Sequence, residues 1–181
     1  MSITHNFKAG QSVVYPSHGV GVITGFDEQE YDGVKLEMIT VKYDRKGMTQ
    51  RIPKNKATST GLRPVSDKKT IAQAFETLRD SPRPKHGLWA RRVRVLQDQL
   101  HSGDIILISR LLRDLAPKTR TENGLSLSER EYYSNAMEML SDEISAVTKR
   151  TTDFVKAEIE KALSEQKPPI INKHDFQDRY Q

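Results

Sequence analysis

The first third of the chain consists of short apolar runs separated by turn residues, which is typical of β-strands. One β-branched run covers residues 20–26, and the Asp32-Gly33 dipeptide after it favours a hairpin turn. The other four runs lie at 12–15, 36–43, 48–52 and 61–65. Five short strands within about 60 residues predict a small barrel of the Tudor or SH3 type.

From residue 66 onward, apolar residues recur every three or four positions, which is the spacing of amphipathic helices. Ser66 or Asp67 can cap the first helix, and Ser126 with Glu129 has the spacing of a capping box. Gly103 suits a left-handed helix end, and Asp104 can cap the helix after it. The predicted apolar faces are Ile71, Ala74, Phe75 and Leu78; Trp89, Val93, Leu96 and Leu100; Ile105, Ile108, Leu111, Leu112 and Leu115; Tyr133, Met137, Leu140, Ile144 and Val147; and Phe154, Val155, Ile159, Ala162 and Leu163.

These patterns predict an α+β protein, with a five-stranded Tudor/SH3-like barrel followed by a compact all-helical domain of about five helices. The predicted boundaries are 1–65 for the barrel and 66–165 for the helices. Residues 166–181 include a Lys-Pro-Pro sequence and are largely polar, so they are predicted to form a flexible tail.

Charge is unevenly distributed along the chain. Net charge is +3 over residues 1–65, +6 over 66–120 and −4 over 121–181, which sum to the overall +5. A basic middle section favours a polyanionic partner, with nucleic acid as the first candidate. A solvated basic face without a partner is the alternative interpretation.

The strongest candidate for contact with this partner is the segment 83–94, which is rich in basic residues, has no acidic residue and holds the single tryptophan of the chain, Trp89. An aromatic side chain ringed by arginines can insert between base steps while the arginines neutralise phosphates. Trp89 also begins an apolar stripe, so its spacing alone favours a place in the core, although spacing does not decide between the two. Arg91, Arg92 and Arg94 lie off that stripe and are expected to face solvent.

Composition excludes several other classes. The chain has no cysteine, so disulfides and thiolate metal sites are absent, and a reducing cytoplasm is the expected location. No apolar stretch is long enough to cross a membrane. No acid–base pair, nucleophile constellation or metal-ligand spacing stands out, so we expect no enzyme activity, no cofactor and no metal site.

Several motifs together resemble the CarD family (CarD/CdnL type) of bacterial transcription regulators. The opening sequence Phe7–Gly21, with its Val-Tyr-Pro and His-Gly, resembles the start of the family. Met48–Pro53 resembles the strand that carries a polymerase-contacting arginine, and Leu88–Arg92 resembles the Trp-x-Arg-Arg element. Gln99–Asp104 resembles a Leu-x-Ser-Gly-Asp helix junction, and Leu111–Leu115 with Gly124–Ser126 resembles the family sequence beyond that junction. The resemblance covers about residues 7–165.

The resemblance implies a two-part adaptor that acts as a monomer. The Tudor-like domain would bind the lobe of the RNA polymerase β subunit, and the helical domain would contact promoter DNA at the upstream edge of the bubble. A tryptophan wedge in the minor groove near the −10 element would slow collapse of the open complex.

The resemblance also implies site residues. The polymerase-binding residues would be Gln29, Arg51, Ile52 and Pro53, and the DNA-binding residues would be Lys85, Trp89, Arg91, Arg92 and Arg94. Gln29 marks a departure from the family, because some relatives place a second polymerase-contacting arginine after the second strand.

Two other functions stay open. A free-standing, sequence-specific repressor would need base-reading side chains on one helix face, and usually a dimer. A Tudor-type peptide-binding module would need a cage of exposed aromatic residues, for which the candidates are Tyr15, Phe26, Tyr31 and Tyr43.

Overall fold

The computed structural model describes residues 6–16, 18–31, 34–43, 47–83, 88–121 and 124–168. The side chains of Tyr31 and Arg120 lie outside this description, as do Lys85 and residues 169–181 of the predicted tail. The predicted α+β class is confirmed, since a five-stranded antiparallel sheet is followed by five α-helices.

The N-terminal sheet is built from consecutive antiparallel strands, and its last strand pairs with the first. The strands are β1 Ser12–Tyr15, β2 Gly19–Tyr31, β3 Val34–Tyr43, β4 Met48–Pro53 and β5 Arg63–Pro64. Strand order is β4-β3-β2-β1-β5, and all four pairings are antiparallel. An irregularity between Ile23 and Gly25 shifts the β2–β3 register, and beyond it the pairing is regular as far as Tyr31.

The predicted helix caps are formed at Asp67, Asp104 and Ser126. Asp67 accepts a hydrogen bond from the Thr70 amide, and both halves of the Ser126–Glu129 capping box are formed. Gly103 has a φ of 65° at the junction between the second and third helices. The helices are α1 Lys68–Arg79, α2 Trp89–His101, α3 Ile105–Leu115, α4 Leu127–Thr148 and α5 Thr152–Ser164, and short 3₁₀ turns occupy Lys54–Lys56 and Ala116–Arg120.

Two hydrophobic cores form, one inside the sheet and one among the helices. The predicted apolar faces supply most of the helical core, but Trp89 and Phe154 are exposed instead of buried. Phe154 lies beneath the guanidinium of Arg150, which is 5.1 Å from its ring centre. The last described residues pack back on the helices, because the Lys167 amide donates to the carbonyl oxygen of Arg79 and the Gln166 side chain donates to that of Arg113.

Candidate nucleic-acid interface

The segment that leads to Trp89 is anchored on α3. Ser81 and Pro82 are buried, and the Arg83 amide donates to Asp114 Oδ1 at 3.0 Å. Asp114 is itself paired with the buried Arg113, whose Nε lies 2.8 Å from Asp114 Oδ1. These contacts hold the backbone at Arg83 against the helical core, shortly before α2 begins.

Asp80 lies in the same cluster of charges. The Ser81 amide donates to it, and Lys167, Arg113 and Arg83 lie close by. Although some desolvation opposes them, these groups hold the pKa of Asp80 below its ordinary value. Asp80 is therefore ionised at neutral pH and keeps this part of the surface electrically mixed.

The N-terminal end of α2 differs from those of the other four α-helices in the described residues. Those helices have side-chain caps from Asp67, Asp104, Ser126 and Thr151, whereas no side chain caps α2 at Leu88. An uncapped helix start carries partial positive charge and amide donors that can bind an anion. The first turn of α2 has no acidic residue to offset that charge.

Large apolar side chains stand exposed at this helix end. Trp89 is 55% exposed and Leu88 is 82% exposed. Two large apolar residues that are exposed side by side make this helix end a candidate contact surface. The structure therefore resolves the two interpretations of Trp89 in favour of an exposed side chain, while Leu96 and Leu100 on the same stripe are buried.

The three arginines of α2 are not equivalent. Arg91 and Arg94 are exposed as predicted, but the prediction that Arg92 faces solvent is wrong. Arg92 is half-buried, and its Nε is buried with no hydrogen-bond partner among the described residues. The reason is its position one turn before the buried Leu96, which places its stem over the same edge of the core. This spacing was visible in the sequence.

On the sheet, the predicted polymerase residues divide between the two faces. Arg51 pairs with Thr40, Pro53 with Met38 and Gln29 with Leu36, so these three share the outer face. Ile52 pairs with Ile39 and its side chain is buried in the sheet core, so it is not available to a partner. Burial of Ile52 follows from strict alternation along β4.

Arg51 has a weak partner within the chain. Its Nε lies 4.0 Å from Asp27 Oδ2, and the Thr40 hydroxyl donates to that same oxygen at 2.9 Å. Both ionic side chains are more than half exposed, so this pair contributes little stability. Gln29 pairs with Leu36, which lies four residues along β3 from Thr40, the partner of Arg51. Asp27 is therefore the nearer neighbour of the arginine.

The aromatic residues of the sheet form no exposed cage in the described residues. The Tyr43 side chain is buried, and its ring meets the edge of His18 at a centroid distance of 5.4 Å. Burial, assisted by nearby Tyr15, raises the pKa of Tyr43 to about 12. Tyr43 is therefore part of the sheet core and is not available to an aromatic cage that binds a peptide.

Sequence reasoning missed the residues that join the sheet to the helices. Arg63 in β5 donates to Glu143 in α4 and to the carbonyl oxygen of Gly103. Arg63 and Glu143 are 80 positions apart, and no local pattern links residues at that separation.

Neither a metal centre nor a membrane span is present in the described parts of the chain. These residues contain no group of three or more His, Asp or Glu side chains that can hold a metal ion. Their helices are too short or too polar to cross a bilayer.

Comparison with known proteins identifies the family. The profile of the CarD-like/TRCF RID domain matches residues 7–66, and that of the CarD C-terminal domain matches residues 73–160. The chain belongs to the CarD family. These CarD profiles cover both the sheet and the helices, and the second contains the whole of α2.

Two relatives resemble this CarD-family chain over different lengths. A Bacillus subtilis (strain 168) protein named "Putative transcription factor YdeB" is 27% identical over 151 residues, which are 83% of this chain and 98% of that protein. The solution NMR structure of the 72-residue N-terminal domain of Myxococcus xanthus CarD is 28% identical, with a TM-score of 0.29; it covers 35% of this chain and 89% of that domain. Membership in the CarD family supports a transcription regulator.

Proposed function

We propose that this CarD-family protein regulates transcription initiation by binding RNA polymerase and stabilising the promoter open complex. In this scheme residues 1–65 form the polymerase-interacting domain, which binds the lobe of the β subunit. Residues 66–165 form the domain that contacts DNA at the upstream edge of the bubble, near the −10 element. The protein acts as a monomer.

The observation that carries the proposal is the exposed Trp89 at the uncapped, arginine-rich start of α2. Inserting an apolar side chain between base steps of the minor groove kinks the duplex and opposes reannealing. Arg91, Arg92 and Arg94 bind the adjacent phosphates, and Lys85 belongs to the same basic segment.

Tethering makes weak DNA binding sufficient. A few phosphate contacts give non-specific affinities of roughly 10⁻⁴ to 10⁻⁶ M at physiological salt. Attachment to polymerase raises the local concentration of the helical domain to about millimolar. A contact that stabilises the open complex by about 1.4 kcal/mol shifts its equilibrium tenfold.

On the sheet, Arg51 is the main polymerase contact. Its pair with Asp27 is long and exposed, so exchanging Asp27 for an acidic partner on polymerase costs little. Pro53 and Gln29 lie on the same outer face and contribute contact area, whereas Ile52 supports this face from the core side.

The test of the DNA role is the lifetime of open complexes after a heparin challenge. Samples contain the cognate polymerase with no added protein, with wild type, or with Trp89→Ala. Phe154→Ala is a matched control, because Phe154 is 51% exposed and also lies beside an arginine. Wild type and the control should lengthen the lifetime, and Trp89→Ala should not. An unchanged lifetime with wild type would refute the proposal.

The test of the polymerase role is a pull-down of the β lobe by the full-length chain. Arg51→Ala should weaken capture, because it removes the central charge of the outer face. Arg79→Ala is the control, since Arg79 is an exposed arginine that also pairs with a single carboxylate, Glu165. Equal capture by both variants would remove Arg51 from the interface.

Tight binding of the free protein to one operator without polymerase would instead favour a free-standing repressor.

A further inference from the structure

Arg63 forms a hydrogen-bonded network between the sheet and the helices. Its Nη1 and Nη2 donate to the two carboxylate oxygens of Glu143 at 2.7 and 2.8 Å, and its Nε donates to the Gly103 carbonyl oxygen at 3.1 Å. Ser66 adds two donors to Glu143 Oε1, from its amide at 2.9 Å and its hydroxyl at 2.7 Å. The Glu143 side chain is only 2% exposed, and both of its oxygens have partners. We call these four residues the Arg63–Glu143 network.

A second contact reinforces the same junction. The ring of Pro16, just after β1, packs against Gly103 so closely that a Cβ there would lie 3.0 Å from Pro16 Cγ and 3.4 Å from its Cα. Gly103 also has a positive φ, which a larger residue adopts with strain. The backbone at the end of α2 is therefore in direct contact with the sheet.

The position of this junction along α2 matters for Trp89. Gly103 lies just beyond the C-terminal end of α2, and Trp89 begins the helix, which ends at His101. At 1.5 Å per residue, Trp89 lies roughly 18 Å from the end that the sheet holds. A rotation of about 10° at that end would move Trp89 by roughly 3 Å, which approaches the separation of stacked bases.

The chemistry of the network suits orientation better than it suits stability. A buried ion pair is often no more stabilising than apolar residues of similar volume, and it offsets the cost of burying charge only when its geometry is good. A planar guanidinium bound by a carboxylate and a carbonyl oxygen fixes direction as well as distance.

We propose that Arg63 and Glu143 are positioning residues that fix the angle between the sheet and α2, and so set where Trp89 lies when the sheet is bound to polymerase. This inference rests on the proposed function. Arg63 and Glu143 lie at the junction between the sheet and the helices, so an internal contact, and not only the two binding surfaces, takes part in regulation.

The first arm of the test measures orientation in the full-length chain. Because the chain has no cysteine, nitroxide labels can be attached at Thr58→Cys in the sheet region and Ala90→Cys near the start of α2, both exposed positions. Electron–electron double resonance then gives the distribution of distances between the labels. The double variant Arg63→Met/Glu143→Met replaces the ion pair with apolar side chains, so the fold survives while the directional contacts are lost.

The matched control is Arg150→Met/Glu158→Met. Arg150 binds both carboxylate oxygens of Glu158 at 2.9 and 3.1 Å, but this pair lies entirely within the helical region. The Arg63/Glu143 double variant should broaden the distance distribution by about 3 Å or more, and the control should leave it unchanged. Thermal melting and β-lobe pull-down confirm that each variant is folded and still binds polymerase.

The second arm measures open-complex lifetime with the same proteins, unlabelled. The Arg63/Glu143 variant should lose most of the extension that wild type provides, and the control should keep it. An unchanged distance distribution overturns the proposal, and so does a broadened distribution with a full lifetime extension. If wild type itself gives no extension, the proposed function fails, and the distance distribution alone then decides whether the network fixes orientation.

Discussion

The two ends of α2 have different surroundings, a difference that the regular spacing of its apolar residues does not predict. At the N-terminal end, Leu88 and Trp89 are exposed and no side chain caps the helix. At the C-terminal end, Leu96 and Leu100 are buried, and Arg63 binds the carbonyl oxygen of Gly103 just beyond the helix. One helix thus has an exposed end and a buried end, and substitutions at the two ends should affect different measurements.

The largest expected effect comes from the buried end. Leu100→Ala should lower the free energy of unfolding by about 2–5 kcal/mol, because it leaves a cavity in the helical core. Gln97→Ala, an exposed position on the same helix, is the control and should change it by less than about 0.5 kcal/mol. Urea denaturation measures both. A similar small loss for the two variants would show that the C-terminal end is not packed as described.

The exposed end should show the opposite pattern. Trp89→Ala should lower the free energy of unfolding by less than Leu100→Ala does, because more than half of the Trp89 surface is already exposed. The same variant should shorten open-complex lifetime by roughly tenfold, equivalent to about 1.4 kcal/mol. A large loss of stability measured in the same urea titrations would mean that Trp89 supports the core after all.

The arginines sharpen the comparison within the exposed end. Removing one phosphate contact should reduce the slope of log Kobs against log salt concentration by about 0.9. Arg91→Ala and Arg94→Ala should each show this reduction with no loss of stability, whereas Arg92→Ala should also lower the melting temperature, since its stem is partly buried. Fluorescence anisotropy with duplex DNA measures the slope. Arg130→Ala, an exposed arginine on α4, should leave the slope unchanged.

The smallest expected effect concerns the first turn of α4, which is capped by side chains, whereas that of α2 is not. Burial of Glu129 opposes its ionisation, but hydrogen bonds from Lys118 and Ser126 outweigh it and lower the pKa of Glu129 below its ordinary 4.5. The folded state therefore binds this proton less readily than the unfolded state. The stability from Glu129 is fully present above about pH 4.5 and is lost as pH falls through the folded-state pKa.

Glu129→Gln should consequently cost about 1 kcal/mol at pH 7 and less at about pH 3. Thermal melting of wild type and variant at the two pH values measures the difference. A cost that does not shrink in acid would show that the charge of Glu129 does not contribute through its hydrogen bonds.

Local patterns predicted the elements of this fold well because each depends on neighbours in sequence. The capping box at Ser126 and the left-handed turn at Gly103 both formed as expected. Periodicity identifies residues that share a helix face, but it does not show how far neighbouring elements extend along that face. Spacing alone puts Trp89 and Phe154 on apolar stripes, yet both residues are more than half exposed.

The candidate site was predictable only in part. The basic segment and Trp89 stood out because composition and charge are local properties. The Arg63–Glu143 network could not be found, since it joins residues 80 positions apart through side chains of common types. The half-buried state of Arg92 follows from its position one turn before Leu96, because the aliphatic stem of an arginine can cover apolar surface.

The separation between Arg63 and Glu143 also has a consequence for biosynthesis. The sheet is complete once β5 has left the ribosome, but the helical core requires α5, whose last buried residue is Leu163. At roughly 5–20 residues per second, about 100 further residues take on the order of 5–20 seconds to emerge. Until Glu143 emerges, 80 positions after Arg63, the Arg63 guanidinium has no carboxylate of this network to bind. The angle between the two regions is therefore set last, and a nascent chain presents its outer sheet face before it can place Trp89.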